Sequence, residues 1–267
     1  MLFKMIRKNL YLILFFIVTV LIAIPVIHLI KTKLSEKPNQ GLQISKDYRD
    51  DASQLNLTKV HKIVEVEREP KAIQQQLKQL LQYAKKHHLK VSISGAKHSM
   101  GGHTIYPDGI SINMLPYDHM SFDQNTNILT IGSGASWSKA LQYLDGFGQS
   151  IGVMQSFSNF SIGGSISVNG HGWQTGAAPV SSQMISFTLM KADGEIVNCS
   201  RTENTELFKL VTGGYGLFGI ILDVKIKVVD NTALKFHSIA VNPQDYSERY
   251  QQLLSEDPYV QFAYGRL

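Results

Sequence analysis

The segment that decides the fold is residues 94–103, SGAKHSMGGH, which follows the alternating, strand-like run KVSIS at residues 90–94. Its small residues leave the backbone N–H groups free to point at an anion, because no bulky side chain stands in the way. Lys97 and Ser99 add a positive charge and a hydroxyl donor. The segment therefore predicts an anion-binding loop directly after a strand.

Two further glycine-rich segments lie later in the chain, at residues 156–172 (SFSNFSIGGSISVNGHG) and 212–221 (TGGYGLFGII). The segment at residues 156–172 mixes serine, glycine and asparagine around a few apolar residues, and it suits a chain that approaches a flat, polar cofactor closely. The segment at residues 212–221 is typical of a tight turn that leads into a strand. Each of the three segments alone is a weak signal.

Other chemistries find less support in the sequence. The glycines from Gly213 to Gly219 do not form a Rossmann fingerprint, because a predicted helix precedes them and a predicted strand follows. There is no G-x-x-x-x-G-K-[ST] phosphate loop and no G-x-S-x-G elbow, although composition alone leaves a Ser–His–Asp triad open. His98 and His103 do not share a helical face and His171 is distant in sequence, so no metal site is predicted.

Composition and charge narrow the function classes. The chain has 267 residues, of which 43% are hydrophobic and 18% charged, and the single Cys199 excludes an internal disulfide. Residues 1–37 hold six of the 26 basic and one of the 21 acidic side chains, which leaves 20 of each beyond them. Nucleic-acid binding needs a basic surface. The equal numbers of basic and acidic residues beyond residue 37 therefore predict no nucleic-acid binding.

Residues 9–30 contain no Lys, Arg, Asp or Glu. As a helix they would be roughly 33 Å long, which is enough to cross a bilayer, and residues 1–30 are therefore predicted to be a single-pass N-terminal membrane anchor. A cleavable signal peptide is the alternative, although no A-x-A-like site follows the apolar run. Basic residues flank the apolar run on both sides, so the orientation of the chain across the membrane stays open, with a slight preference for a cytoplasmic N-terminus. Residues 31–54 are predicted to be a polar linker.

The remaining pattern mixes helices with antiparallel hairpins, which favours an α+β fold. A helix is predicted from Pro70, with Ile73, Leu77, Leu80, Leu81 and Ala84 on its buried face, and others at residues 136–145, capped by Ser136, and 204–211. Asp193-Gly194 predicts a hairpin turn. Predicted strands lie at residues 60–66, 90–94, 109–113, 128–132, 184–191, 195–199 and 219–229.

Taken together and in this order, the three glycine-rich segments resemble the FAD-binding domain of the vanillyl-alcohol oxidase, or p-cresol methylhydroxylase-type (PCMH-type), flavoproteins. The likeness is nearest to sugar-alcohol and aldonolactone oxidases and to the decaprenylphosphoryl-ribose oxidase group. It implies a two-subdomain FAD-binding domain at residues 55–230. Residues 231–267 would then be the start of a substrate-binding cap domain, and the expectation is that the chain is truncated there.

The resemblance also implies which residues contact FAD. The loop of residues 95–99 would bind the pyrophosphate through its backbone amides, and His98 falls where many relatives bond the flavin 8α-methyl group. Those relatives usually have glycine before the histidine, whereas this chain has Lys97, so covalent and noncovalent FAD both stay open. His171 falls near the isoalloxazine, with a hydrogen bond inside its own loop as the alternative. The implied FAD-binding residues are Ser94, Gly95, Ala96, Lys97, His98, Ser99, Met100, Ser158, Ile162, Gly163, Gly164, Ser167, Asn169, His171, Gly219 and Ile221.

The activity that the resemblance implies is oxidation of a CH–OH group in a sugar, alditol or aldonolactone-like substrate, by hydride transfer to flavin N5. No catalytic residue is assigned, because relatives take the base from the cap domain. Three alternatives stay open: an FAD-binding remnant without turnover, an NADPH-dependent enolpyruvyl-sugar reductase, and a tethered module without a cofactor.

Overall fold

The computed structural model describes residues 2–35 and 47–266, and the chain divides into two compact units at residues 1–45 and 46–267. Part of the predicted linker, residues 36–46, lies outside the described residues. Residues 47–54, also predicted as linker, instead contain a short strand and belong to the second unit.

The first unit is one helix, α1 (Leu2–Ser35). The helix expected over residues 9–30 therefore forms, and it extends further at both ends. Thr19, Pro25 and His28 interrupt the apolar run in its described part. Within residues 2–35 and 47–266, no helix has both the length and the apolar character needed to cross a membrane, so the predicted anchor is not supported. The side chains of residues 9–14 and 17 lie outside the described ones.

The second unit combines eleven strands with five helices among its described residues, so the predicted α+β class is confirmed. Its strands are β1 (Tyr48–Arg49), β2 (Thr58–Lys59), β3 (Lys62–Glu65), β4 (Val91–Ser94), β5 (Ile110–Asn113), β6 (Met120–Asp123), β7 (Ile128–Gly132), β8 (Gln149–Ile151), β9 (Met184–Met190), β10 (Ile196–Ser200) and β11 (Ile220–Asp230). Its α-helices are α2 (Pro70–Lys86), α3 (Trp137–Asp145), α4 (Ile162–Ser167), α5 (Thr205–Val211) and α6 (Tyr246–Glu256).

The first lobe of this unit is a parallel sheet with the order β3-β5-β4, and α2 packs on it. Pro70 starts α2 because its missing N–H would have no partner in the first turn. Four of the five residues predicted for the buried face are buried, and Leu81 packs at the edge of the same core. The helical period of apolar residues therefore determined how α2 docks.

The second lobe is an antiparallel sheet with the order β10-β9-β11-β7-β6, and β8 pairs with the far end of β11. The predicted turn at Asp193-Gly194 joins β9 to β10. The Lys191 N–H donates to the Glu195 carbonyl at 2.8 Å, and Gly194 takes a φ of 84° that favours glycine. The side chain of Ser136 accepts a hydrogen bond from the Lys139 N–H, which confirms the predicted cap of α3.

The two lobes meet at the segments that directly follow β5 and β7. The core of the first lobe includes Met190, Ile220 and Leu222, which belong to the antiparallel sheet. At this junction a Cβ on Gly134 would lie 1.8 Å from the Met114 carbonyl oxygen, so only glycine allows the two backbones to approach. The junction brings the ends of β4, β7 and β11 to one region of the molecule.

Candidate functional site

A cavity at the junction of the two lobes is lined by residues from all three glycine-rich segments. Its empty volume is about 1140 Å³, counting the part open to solvent. Strand ends and loops from both lobes therefore line one common cavity, which is open to solvent.

The first segment forms one wall, and its glycine allows it to approach the second segment. A Cβ on Gly95 would lie 2.0 Å from the Ser161 Oγ and 2.7 Å from the Ser161 Cβ. The Ala96 N–H donates to the same Ser161 Oγ at 3.3 Å. The loop after β4 therefore lies directly against the start of α4, and any larger residue at position 95 would separate them.

Part of the second segment, Ile162–Ser167, forms the short helix α4, where no helix was predicted. Ile162 and Ile166 are four residues apart and fully buried, so one face of this turn is anchored in the core. The opposite side presents Gly163 and Gly164 to the cavity. A Cβ on Gly163 would lie 2.9 Å from the Ser133 Cβ, so this glycine too is required by a close approach.

The third segment connects α5 to β11 and is held against α4. The Gly213 N–H donates to the Ile166 carbonyl at 3.0 Å, and the Tyr215 N–H donates to the Ser167 carbonyl at 2.9 Å. Gly219 has a φ of 147°, and a Cβ there would lie 2.7 Å from the Met190 carbonyl oxygen. The three segments therefore converge on one cavity, as predicted from their resemblance as a set.

Two pairs of aromatic rings join segments across the cavity wall. The rings of His98 and Phe160 have centroids 4.4 Å apart, and those of His103 and Tyr215 are 5.6 Å apart. His98 is exposed overall, but partial desolvation of its ring lowers its pKa, which favours a neutral imidazole with one ring nitrogen available as an acceptor.

A buried tryptophan supports the cavity from behind. The Trp137 Nε1–H donates to the Gln155 Oε1 at 3.0 Å and to the Ser165 Oγ at 2.8 Å, and both of these residues line the cavity. Trp137 is fully buried, so its indole holds these two polar side chains in position.

Eleven of the predicted site residues line the cavity. They are Ser94, Gly95, Ala96, Lys97, His98, Ser99, Gly163, Gly164, Ser167, Gly219 and Ile221.

The other five predicted site residues lie elsewhere. Ile162 is fully buried in the core, and the Met100 side chain is 70% exposed. The Ser158 carbonyl accepts from the Ser138 N–H, and the Asn169 Oδ1 accepts from the Ser181 N–H. The His171 side chain is exposed, and its Nδ1 lies 3.3 Å from the Gly172 carbonyl oxygen, which agrees with the alternative of a contact inside its own loop.

Several lining residues were missed. Ser133 lies in the run GSGAS at residues 132–136, which follows a predicted strand just as the first segment does. This fourth run of small residues was the available signal. His103, Thr104 and Tyr215 belong to or border the predicted segments but were not chosen, because sequence does not say which side of a loop faces a cavity.

The cavity wall contains polar atoms that lack partners. The hydroxyls of Ser99, Thr104 and Ser133 are buried and have no hydrogen-bond partner within the described residues. Buried hydroxyls are usually satisfied, and each unsatisfied one costs about 1–3 kcal/mol. A ligand rich in hydrogen-bonding oxygens could satisfy these three hydroxyls. An FAD molecule, with its pyrophosphate and sugar hydroxyls, has this chemistry and fits the site.

Comparison with known proteins agrees with this geometry. Residues 69–200 match the family described as "FAD binding domain". The chain is similar to cytokinin dehydrogenase 2 of Arabidopsis thaliana, with 29% identity over 153 residues that cover 56% of this chain and 30% of that protein. It is 25% identical to the mitochondrial L-galactono-1,4-lactone dehydrogenase of the same plant, over 61% of this chain and 28% of the relative.

A third relative, L-gulonolactone oxidase of Mus musculus, is 24% identical over 190 residues, which cover 71% of this chain and 43% of the relative. The chain therefore spans less than half the length of each of these three proteins.

Proposed function

Because the chain belongs to the flavoproteins with a PCMH-type FAD-binding domain, we propose that it is an FAD-dependent oxidoreductase acting on a CH–OH group of a sugar, alditol or aldonolactone-like substrate. The observation that carries the proposal is the cavity formed by the three glycine-rich segments, with its three unpartnered hydroxyls. The similarity to two enzymes named for gulonolactone and galactonolactone supports the substrate class.

The chemistry that bound FAD supplies is acceptance of a hydride at flavin N5. The part of this chain is to bind and orient the cofactor. We assign the backbone N–H groups of the loop of residues 95–99 to the pyrophosphate, except that of Ala96, which already donates to the Ser161 Oγ. The unpartnered hydroxyls of Ser99, Thr104 and Ser133 would donate to other ligand oxygens. Phe160 and Ile221 give the cavity wall an apolar part, which would pack against apolar parts of the cofactor.

His98 is the residue proposed to meet the flavin ring, either by a covalent bond to the 8α-methyl group or by contact alone. The preceding Lys97 has a φ of 55°, in the left-handed region that favours glycine. The loop of this chain therefore takes, with lysine, a backbone conformation that glycine adopts easily. Acid precipitation of the yellow protein separates the two cases: colour in the pellet means a covalent bond, and colour in the supernatant means contact alone.

A second candidate is oxidation of a cytokinin. It is favoured by the similarity to cytokinin dehydrogenase 2 and by 32% identity, over 142 residues, to cytokinin dehydrogenase 3 of rice. These identities exceed those to the lactone enzymes, although each match covers less than a third of the relative.

The test is anaerobic reduction. The full chain is loaded with FAD, oxygen is removed, and an aldonolactone, an alditol or a cytokinin is added while the visible flavin absorption is followed. We expect the aldonolactone or the alditol to bleach the absorption. Bleaching by the cytokinin alone would favour the second candidate. Bound FAD that no substrate bleaches would contradict both and favour cofactor binding without turnover.

A further inference from the structure

Asp51 is a buried carboxylate in the segment between β1 and β2, outside the residues that match the FAD binding domain family. Its side chain accepts hydrogen bonds from the Ser53 N–H at 3.0 Å, the Ser53 Oγ at 2.6 Å, the Asn56 Nδ2 at 3.0 Å and the Gly102 N–H at 2.7 Å. Burial by itself would raise the pKa of Asp51, but these hydrogen bonds outweigh it and lower the pKa to about 2. The carboxylate is therefore ionised at neutral pH.

The contacts of this segment lead to the cavity loop. Besides the Asp51 bond to Gly102, the Ala52 N–H donates to the Lys97 carbonyl at 3.0 Å, and the Asn56 Nδ2 lies 3.4 Å from the Met100 carbonyl. These contacts fix residues 97 and 102, the two ends of a stretch that contains His98 and Ser99. Both of the latter residues line the cavity.

The bond to Gly102 depends on an unusual backbone conformation. Gly102 has a φ of 70°, which costs glycine little, and its N–H donates to the carboxylate. A hydrogen bond to an ionised acceptor is stronger than one between neutral groups, so the charge on Asp51 holds this conformation more firmly than a neutral residue could.

We propose that Asp51 is a positioning residue, which holds the loop of residues 97–102 in the shape that receives FAD. The proposal rests on the proposed function, because it concerns the affinity for that cofactor. Its physical content is a population: apparent affinity falls in proportion to the fraction of molecules whose loop has the competent shape. The Asp51 carboxylate bonds to Gly102 at one end of the loop, and the neighbouring Ala52 bonds to Lys97 at the other end. These bonds raise the fraction of molecules with the competent loop before FAD binds.

The test compares Asp51→Asn with Asp123→Asn in the full chain. The first change keeps the size of the side chain but removes its charge and half of its accepting capacity. The second is a matched control, because Asp123 also accepts from a neighbouring N–H (Asn125, 2.9 Å) and a hydroxyl (Thr126, 2.8 Å), in a turn that does not line the cavity. Three quantities are measured: the dissociation constant for FAD, the free energy of unfolding in urea, and amide hydrogen exchange of residues 97–102 without FAD.

We expect Asp51→Asn to weaken FAD binding about tenfold, as it would if only about a tenth of the molecules kept the competent loop. Amide exchange should accelerate within residues 97–102, and Asp123→Asn should leave both quantities unchanged. A destabilised Asp51→Asn protein that keeps wild-type FAD affinity and wild-type loop exchange would overturn the proposal, because the role of Asp51 would then be structural only.

A variant that does not fold would be replaced by Asn56→Ala, which removes the contact with the Met100 carbonyl and one bond to Asp51, with the same expected direction. Absence of FAD binding by the wild-type chain would contradict the proposed function itself. That result is distinct from a wild-type chain that binds FAD and an Asp51→Asn variant that binds it equally well, which contradicts only the role of Asp51.

Discussion

The approach of the first loop to α4 leads to a sharp prediction for Gly95→Ala. The added methyl group would lie 2.0 Å from the Ser161 Oγ and 2.7 Å from the Ser161 Cβ. Rotating the hydroxyl relieves the first clash, but the second involves a buried atom bonded to the backbone, so the loop must move away from the helix. Overpacking of this kind costs about 1–3 kcal/mol of stability. The displaced loop also carries the backbone N–H groups assigned to the phosphates, so FAD affinity should fall. The dissociation constant rises about tenfold for each 1.4 kcal/mol of binding free energy that is lost.

Urea unfolding and FAD titration of the full chain measure these two effects. Gly146→Ala is the matched control, since its methyl group would meet only the Tyr143 carbonyl at an ordinary 3.6 Å and its φ is −61°. Ser161→Gly removes both atoms of the clash, so the double variant Gly95→Ala with Ser161→Gly should recover part of the loss, with a coupling energy of about 0.5–3 kcal/mol. A Gly95→Ala protein with wild-type stability and wild-type FAD affinity would refute the reasoning.

Three further predictions concern other residues. Tyr117→Phe removes the hydroxyl that donates to Asp223, at 3.0 and 3.1 Å, and should cost about 1–3 kcal/mol in urea unfolding. Burial and then the Asp223 charge raise the pKa of Tyr117 above its usual 10.0, so wild-type stability should fall as pH rises above about 10, because the unfolded state loses its proton first; a Tyr117→Phe protein showing the same fall would count against this cause. Lys97→Gly should raise the thermal midpoint, since the cost of a left-handed lysine, about 1–2 kcal/mol, exceeds the entropic cost of glycine, about 0.5–1 kcal/mol; a lower midpoint would argue that the lysine side chain stabilises the loop. His98→Ala should reduce flavin retention during gel filtration more than His103→Ala, because the His98 ring packs more closely in the cavity wall, and equal retention would show that His98 has no special place at the flavin.

Much of the second unit could be predicted because its signals are local. The apolar face of α2 repeats with the helical period, and α3 begins directly after its serine cap. β11 was expected at residues 219–229 and is found at Ile220–Asp230. In each case the residues that determine the element lie within it, so no knowledge of the tertiary structure was needed.

Three of the missed elements, β6, β8 and α4, depend on distant partners. β8 is three residues long, too short to show a pattern, and pairs with β11. β6 alternates the apolar Met120 and Phe122 with polar residues, but this signal was not used, and the strand pairs with β7. The serine- and glycine-rich run at residues 162–167 has poor helix formers, and the burial of Ile162 and Ile166 overrides that propensity to give α4. Tertiary packing decided these segments.

The site shows the same division. Convergence of the three segments was predicted from their resemblance as a set, but the residues that face the cavity within each segment were predicted only in part. Asp51 was treated as part of a linker, because its four hydrogen bonds include one to a residue 51 positions away that no local pattern reveals. A lone aspartate in a polar segment gives no sign of such a contact.

The most direct measurement is the stoichiometry and dissociation constant of FAD with the purified full chain, compared with those of riboflavin, which lacks the pyrophosphate and the adenosine. We predict one FAD per chain, held more tightly than riboflavin, because the loop of residues 95–99 is proposed to donate backbone hydrogen bonds to the pyrophosphate. A chain that circular dichroism shows to be folded, and that binds neither compound or both equally well, would contradict the assignment of this cavity to FAD.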